Sequence, residues 1–257
     1  MKIKRTNVQI WLSLLIASAV LLHNMGFFDP SRLKTGLANI SLFIRELFPP
    51  DPSVVGQVSW AIVETIQMAF AGTVLGSIVS IPLALLGARN IISGVPNAIA
   101  RLLLSVVRVV PALLWAIIFV VAFGLGPLPG TLGLAAYSLG YLGKLYYEAF
   151  EAVDPELLEA TKAIGCSKLQ QIRYVIIPET ANTIISQFLF LFEYNVRAST
   201  ILGFVGAGGV GFYMLGYIQL FQYQRLMTTL LLTLCVILFI DFVSAKVRDR
   251  FLIHISK

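Results

Sequence analysis

Glu159-Ala160-Thr161-Lys162-Ala163-Ile164-Gly165, followed after nine residues by Val175-Ile176-Ile177-Pro178, is a polar island in a chain that is 58% hydrophobic and 12% charged. The signals around it are those of two short helices. Asp154-Pro155-Glu156 is a helix start: an acid at the N-cap, proline in the first turn, and a second acid near the positive end of the helix dipole. Gly165 can end that helix in a left-handed conformation. Ser167-Lys168-Leu169-Gln170 has capping-box spacing for a second helix. Pro178 ends the polar run or begins the next apolar segment. Taken alone, these signals describe a helical hairpin joining two spans.

Outside the island lie six apolar segments, at 8–25, 58–87, 99–123, 127–143, 181–203 and 226–245. Each approaches the roughly 20 residues that cross a bilayer. A soluble domain carries about 25% charged residues, so the composition places the chain in a membrane. The fourth segment is short and opens at Pro127 and Pro129. The stretch 26–57 contains Pro30, Pro49, Pro50 and Pro52 and is expected to be a loop with at most a short surface helix. The expected domains are an N-terminal anchor with an external loop, 1–57, and a transmembrane domain, 58–257. The first segment has a second reading. Lys2, Lys4 and Arg5 precede Ala17-Ser18-Ala19, as in a signal peptide with its cleavage site. That site falls inside the apolar run, so an uncleaved anchor is expected.

Thirteen of the nineteen Lys and Arg fall on the side of the 144–178 loop and the two termini, four fall opposite, and Arg108 and Arg197 lie within spans. The positive-inside rule then puts that loop and both termini in the cytoplasm. The net charge of +6 is therefore an orientation signal, and no nucleic-acid partner is expected. Cys166 and Cys235 form no CxxC pair, so no metal site is expected. His23 and His254 have no partner at ligand spacing, which argues against an integral-membrane enzyme. The chain has no G-x-x-x-x-G-K-[ST] run and is not expected to hydrolyse ATP itself.

Five ionisable residues lie in the expected spans: Glu64, Arg108, Glu193, Arg197 and Asp241. Charge is costly in hydrocarbon, so each should face the protein interior or a path. Glu193 and Arg197 are four apart with the acid first, the spacing of a direct pair. Asp241 is expected to pair with Lys246 or Arg248, or to be solvated. Arg108 has no acid on its own helix. Either Glu64 neutralises it, or its guanidinium is free to meet an anion bidentately. Gly206-Ala207-Gly208-Gly209-Val210-Gly211 satisfies G-x-G-x-x-G, but no βαβ unit surrounds it and the next acid, Asp241, is too distant for a dinucleotide site. It is expected to leave regular helix at the outer end of the fifth span, where exposed amides could form an anion-holding concavity. A flexible external loop is the alternative. Gly72-xxx-Gly76 and Ala136-xxx-Gly140 mark close helix contacts, within one subunit or along a dimer seam.

The island, Glu159 to Gly165 with its distant Pro178, closely resembles the coupling motif of ABC-importer permeases, with Thr161 standing where that motif has alanine. Phe192-Glu193-Tyr194-Asn195-Val196-Arg197, running into Gly203–Gly211, is similar to phosphonate-importer permeases, as are Phe43–Pro50 and Val120–Pro127. The glycine-rich run alone also resembles methionine-importer permeases. The resemblance implies an all-α membrane protein of about six transmembrane helices, with a type I ABC-importer permease core and cytoplasmic coupling helices, in a bacterial inner membrane. It implies that Glu159, Ala160, Ala163 and Gly165 form or set the face that docks on a separate ATPase. Candidates for the solute path are Arg108, Asn195, Arg197, Gly206, Gly208 and Gly209. The implied partners are a second copy of the permease, an ABC ATPase dimer carrying ATP and Mg, and an external solute-binding protein, with no cofactor on this chain. The expected cargo is a phosphonate or related phosphorus oxyanion, with methionine or another small solute as the alternative. A membrane enzyme and a non-transporting scaffold are the readings from other classes.

Overall fold

The computed structural model describes residues 5–252, with side chains from Ile10 to Arg250. Lys2, Lys4, His254 and Lys257 lie outside the described residues, as does the side chain of Arg5. Among the described residues every regular element is helical, and the chain divides into two compact units, Met1–Pro50 and Asp51–Lys257. Residues 51–57 thus group with the larger unit.

The first unit holds α1 (Arg5–Asn24) and α2 (Pro30–Glu46). The 17-residue α2 corrects the expectation of a loop over 26–57. Its start is well specified: Asp29 accepts from the Ser31 amide at 3.0 Å, and Pro30 takes the first turn. Those Ser31 bonds hold the Asp29 carboxyl below its usual range. Leu33, Leu37, Ile40 and Ile44 form one exposed apolar stripe along the helix.

In the second unit a short turn, Pro52–Val54, leads into α3 (Val55–Gly87). Then come α4 (Val95–Val109), α5 (Ala112–Phe123), α6 (Pro127–Glu151), α7 (Pro155–Ala163) and α8 (Lys168–Gln171). A π-helical turn, Ile172–Ile176, joins α8 to α9 (Ile177–Leu202). A 3₁₀ turn, Gly203–Val205, precedes α10 (Val210–Gln219) and α11 (Tyr223–Leu252).

Three helical runs, 52–87, 168–205 and 223–250, are long and apolar enough to cross a membrane, and a bent pair would make a fourth. Of the other three expected spans, the first is apolar over Ile10–Asn24, shorter than the length that crosses a bilayer, and two differ for physical reasons. The expected span 99–123 is broken: α4 and α5 meet at 86°. Val110 is extended (φ −78°, ψ 119°), the conformation that a following proline, here Pro111, imposes. The expected span 127–143 runs on to Glu151, and its six leucines are diluted by four glycines, four tyrosines and the charges of Lys144, Glu148 and Glu151. They can be, because α6 is an interior helix, with Leu134, Ser138, Leu142, Tyr146 and Phe150 fully buried.

Helices in lipid gain little from apolar burial against one another, so close approach of small residues carries the packing. A Cβ on Gly72 would lie 2.7 Å from that of Leu134, and one on Gly76 would lie 2.7 Å from the Ala135 carbonyl oxygen. A Cβ on Gly140 would lie 2.6 Å from the Arg108 amide nitrogen. Both small-residue motifs therefore serve contacts within this subunit, α3 on α6 and α6 on α4. Polar ties reinforce them. Asn195, fully buried, donates from Nδ2 to Thr73 and to Ser138, both at 2.8 Å, and so joins α9 to α3 and α6.

Pro178 sits in the first turn of α9 within a continuous helical run, so it begins the span. The π turn before it absorbs the hydrogen bond that proline cannot make. At the opposite end Arg225 Nε donates to Asp51 at 3.0 Å and the Thr228 hydroxyl donates to the Asp51 carbonyl at 2.8 Å, tying the start of α11 to the start of α3. The Asp51 carboxyl is held down at about 2, first by the Ser53 hydroxyl and amide and then by Arg225.

Candidate functional site

The α7–α8 hairpin forms as the sequence signals. Asp154 caps α7 by accepting from the Glu156 amide at 2.9 Å. Gly165 takes φ +88° in open space, so backbone conformation rather than crowding requires glycine there. Ser167 and Gln170 close a reciprocal capping box. The Thr161 hydroxyl donates to the Leu158 carbonyl at 2.9 Å and accepts from Gln171 at 3.0 Å, and so fastens α7 to α8. Glu159, Ala160, Ala163 and Gly165 all lie on the exposed surface of the hairpin. Beside them Ile164 is 80% and Leu169 75% exposed, a large apolar presentation on an otherwise polar projection.

The glycine-rich segment is an ordered turn. Gly206, Gly208 and Gly209 all have positive φ, between +71° and +82°. The Gly209 amide donates to Glu64 at 2.8 Å and the Val210 amide donates to Thr65 Oγ1 at 2.8 Å. The start of α10 is therefore capped by two successive side chains of α3. The Gly209 amide therefore holds the chain's own Glu64 carboxylate, and of the two open readings of Arg108 the one in which Glu64 neutralises it finds no ion pair among the described residues. A Cβ on Gly208 would lie 2.7 Å from Glu64 Oε1, so close approach of the carboxylate also demands glycine.

The other charges pair across helices rather than along them. Arg197 bonds to Asp241 at 2.6 Å and Arg248 bonds to Glu193 at 2.9 Å. These two bridges join α9 to α11 and replace the expected Glu193–Arg197 and Asp241–Lys246 or Asp241–Arg248 pairs. Both Glu193 and Arg197 point toward α11, so the long-range geometry wins over a local contact worth only about 0.2–0.5 kcal/mol.

Arg108 is left. Among the described residues its side chain makes no hydrogen bond or ion pair. It sits at the end of α4, beside the break, where the positive dipole end of α5 begins. Trp115 Nε1 bridges the break by donating to the Val107 carbonyl at 3.2 Å. Arg108 lies within electrostatic reach of the Tyr137 hydroxyl, which interacts with Tyr194. The Tyr137 ring stacks on Tyr194 at 5.4 Å and on Tyr141 at 5.9 Å. The three tyrosines were not singled out from the sequence. The available signal was Tyr137 and Tyr141 at helical spacing within an apolar run. Of the expected path residues, Asn195 is in the core, Arg197 is neutralised on the α11 side, and only Arg108 stands with unassigned donors among the described residues.

The chain matches the family model of the binding-protein-dependent transport system inner membrane component over residues 56–251. It is 37% identical over 234 residues to the phosphite transport system permease protein PtxC of Stutzerimonas stutzeri, covering 88% of this chain and 83% of that one. It is 35% identical over 225 residues to the phosphate-import permease protein PhnE of Mycolicibacterium smegmatis, covering 86% of this chain and 42% of that one. In fold it is similar to a chain of the MetNI methionine ABC transporter in an inward-facing conformation, with a TM-score of 0.68, 22% identity, and coverage of 78% and 99%. A broken apolar helix, an interior α6 and a capped hairpin thus sit on a type I ABC-importer permease fold, and the chain belongs to the family of binding-protein-dependent transport system inner membrane components.

Proposed function

We propose that this chain is the permease of an ATP-driven importer for phosphorus oxyanions, phosphonate, phosphite or phosphate. The observation that carries the cargo is Arg108. Among the described residues it is the intramembrane cation without a carboxylate, at the broken end of α4, within electrostatic reach of the Tyr137 hydroxyl, whose ring stacks on Tyr141 and Tyr194. Guanidinium and hydroxyl donors match tetrahedral oxyanions. Discontinuous helices whose N-termini meet anionic groups recur at transporter midplanes. One arginine with neutral hydroxyls holds an anion weakly enough to release it. The phosphite and phosphate relatives support the same class. Methionine has only a fold-level likeness behind it.

The exposed hairpin, with Glu159, Ala160, Ala163, Ile164 and Gly165, is the docking surface for a separate ATPase, which hydrolyses the ATP. A second permease copy and an external solute-binding protein complete the assembly. The 144–178 side and both termini face the cytoplasm, as the distribution of Lys and Arg supports. Reconstituted with its ATPase and binding protein, the complex should take up phosphite or phosphate on ATP addition. Arg108→Gln should reduce uptake at least about tenfold, the loss expected for one charge-assisted contact, with assembly and melting unchanged. Normal uptake by Arg108→Gln would remove Arg108 from the path. Uptake of methionine but not of phosphorus oxyanions would overturn the cargo.

A further inference from the structure

The turn 88–92, between α3 and α4, is held from the entrance of the α7–α8 hairpin and from the start of its second arm. Glu151, the last residue of α6 and three before the hairpin's cap, accepts from the Arg89 amide at 2.7 Å and from the Arg101 guanidinium. Asn90 Nδ2 donates to the neighbouring Phe150 carbonyl at 2.7 Å. Lys168, the first residue of α8, donates to the Ile91 carbonyl at 3.0 Å. The entrance of the hairpin and the start of its second arm therefore hold one and the same turn.

The turn meets α4 through Glu151, which the Arg89 amide and Arg101 share, and the last residues of α3 just before the turn are fastened to α4 directly. Asn97 donates to the Leu86 carbonyl at 3.0 Å, and Arg101 Nε donates to the Gly87 carbonyl at 2.8 Å while its guanidinium lies 4.4 Å over the Tyr147 ring. Arg101 and Arg108 are seven residues apart, about 10.5 Å along one face of α4. Between them Leu104 rides on Gly143, and the Arg108 backbone rides on Gly140. These close contacts make α4 and α6 neighbours along their length, and across the break at Pro111 the Trp115 bond to the Val107 carbonyl ties α4 to α5. A cavity of about 230 Å³, lined in part by Ile91, Lys162, Cys166 and Lys168, leaves room beside the Lys168 contact.

We propose that the 88–92 turn is the joint through which the hairpin moves α4 and thereby repositions Arg108, with Glu151 and Lys168 as its positioning residues. This rests on the reading of the hairpin as the ATPase dock. A simple structural staple would hold the same contacts, but its loss would lower melting, ATP hydrolysis and uptake together. A joint makes a different prediction: ATP hydrolysis continues and the solute is not moved.

The test uses the intact permease–ATPase–binding-protein complex in vesicles. Glu151→Gln and Lys168→Met should leave melting and ATP hydrolysis near wild type and raise the ATP consumed per phosphite taken up about tenfold, a typical coupling magnitude. Lys168→Arg, which keeps the donor, should restore the ratio. The double variant should be no worse than the poorer single one, because both act through one turn. A second readout does not depend on the cargo. Spin labels at Ile99→Cys on α4 and Leu128→Cys on α6, with Cys166 and Cys235 replaced by Ser, should change separation on ATP binding in the wild-type background and not in the double variant. Unaltered ATP-driven displacement in the double variant, or a parallel fall of hydrolysis and uptake, overturns the joint. An ATP-driven displacement without phosphorus-oxyanion uptake in wild type overturns the cargo and leaves the joint supported.

Discussion

The two bridges between α9 and α11 look alike in outline but differ in burial, and the difference sets a measurable order of stability. Glu193 has a side chain 8% exposed, against 27% for its partner Arg248. Arg197 and Asp241 are 49% and 35% exposed. Removing one member of a buried pair strands the other charge, which costs about 3–5 kcal/mol. Removing one member of an open pair costs about 0–1 kcal/mol, because the survivor can be hydrated. Arg248→Gln should therefore destabilise by about 3 kcal/mol, the lower end of the range since Arg248 is itself partly open. That is roughly a hundredfold in the folding equilibrium, and about 6 °C in melting temperature for a chain of this length. Arg197→Gln should shift melting by about 2 °C or less. The assay is thermal melting of the detergent-solubilised complex. Adding Glu193→Gln to Arg248→Gln should recover most of the loss, because the stranded charge is gone. Equal shifts for the two arginine variants would refute the assignment by burial. So would a Glu193→Gln change that adds a further loss on top of Arg248→Gln.

Gly76→Val should disrupt the α3–α6 contact, since its Cβ would meet Ser138 Cβ at 2.5 Å, whereas Gly56→Val meets nothing within 4 Å and should insert and melt normally; comparative melting reads the contrast. Gly165→Val has space but the wrong backbone region (φ +88°), so membrane insertion should be intact and the ratio of uptake to ATP hydrolysis should fall, as measured in vesicles. The Asp51 carboxyl titrates at about 2 in the fold, below its unfolded value, so its stabilisation is complete above about pH 4 and is lost as pH falls toward 2. Asp51→Asn should flatten the acid limb of a melting-versus-pH profile and leave the slope above about pH 5 unchanged. An impermeant thiol reagent should label Ser31→Cys in sealed right-side-out cells and should reach Cys166 only after the membrane is opened.

What the sequence disclosed is what neighbours in the chain decide. Asp154, Gly165 and Ser167 act on backbone groups within three residues, so the hairpin could be written out residue by residue. The break after Val109 was less legible because Val109 and Val110 keep the run apolar, and only Pro111 marks it. Partner choice among the charges was not legible. Arg197 and Asp241 are 44 residues apart, and Glu193 and Arg248 are 55 apart. Nothing local distinguishes those partners from the i,i+4 pair that a helix also offers. Glu64 stays open between two readings in the sequence for a related reason: its partner is a backbone amide 145 residues away, and amides leave no trace in residue types.

The place Glu64 takes bears on where an anion can rest. The glycine-rich turn presents amides, yet one of them already carries the Glu64 carboxylate. An oxyanion arriving there would meet a like charge. At 4 Å and an effective dielectric near 20, that repulsion is about 4 kcal/mol, more than one or two amide hydrogen bonds return. The turn is suited to hold α10 in place at the mouth of the subunit and to discourage an anion from settling there. Arg108 offers the opposite balance, with five donors, no carboxylate partner among the described residues and the Tyr137 hydroxyl within electrostatic reach. The two features together favour passage of an anion past the glycine turn to the broken helix. They also make α4 the element whose position matters most for release, because it carries the cation that would have to let the anion go.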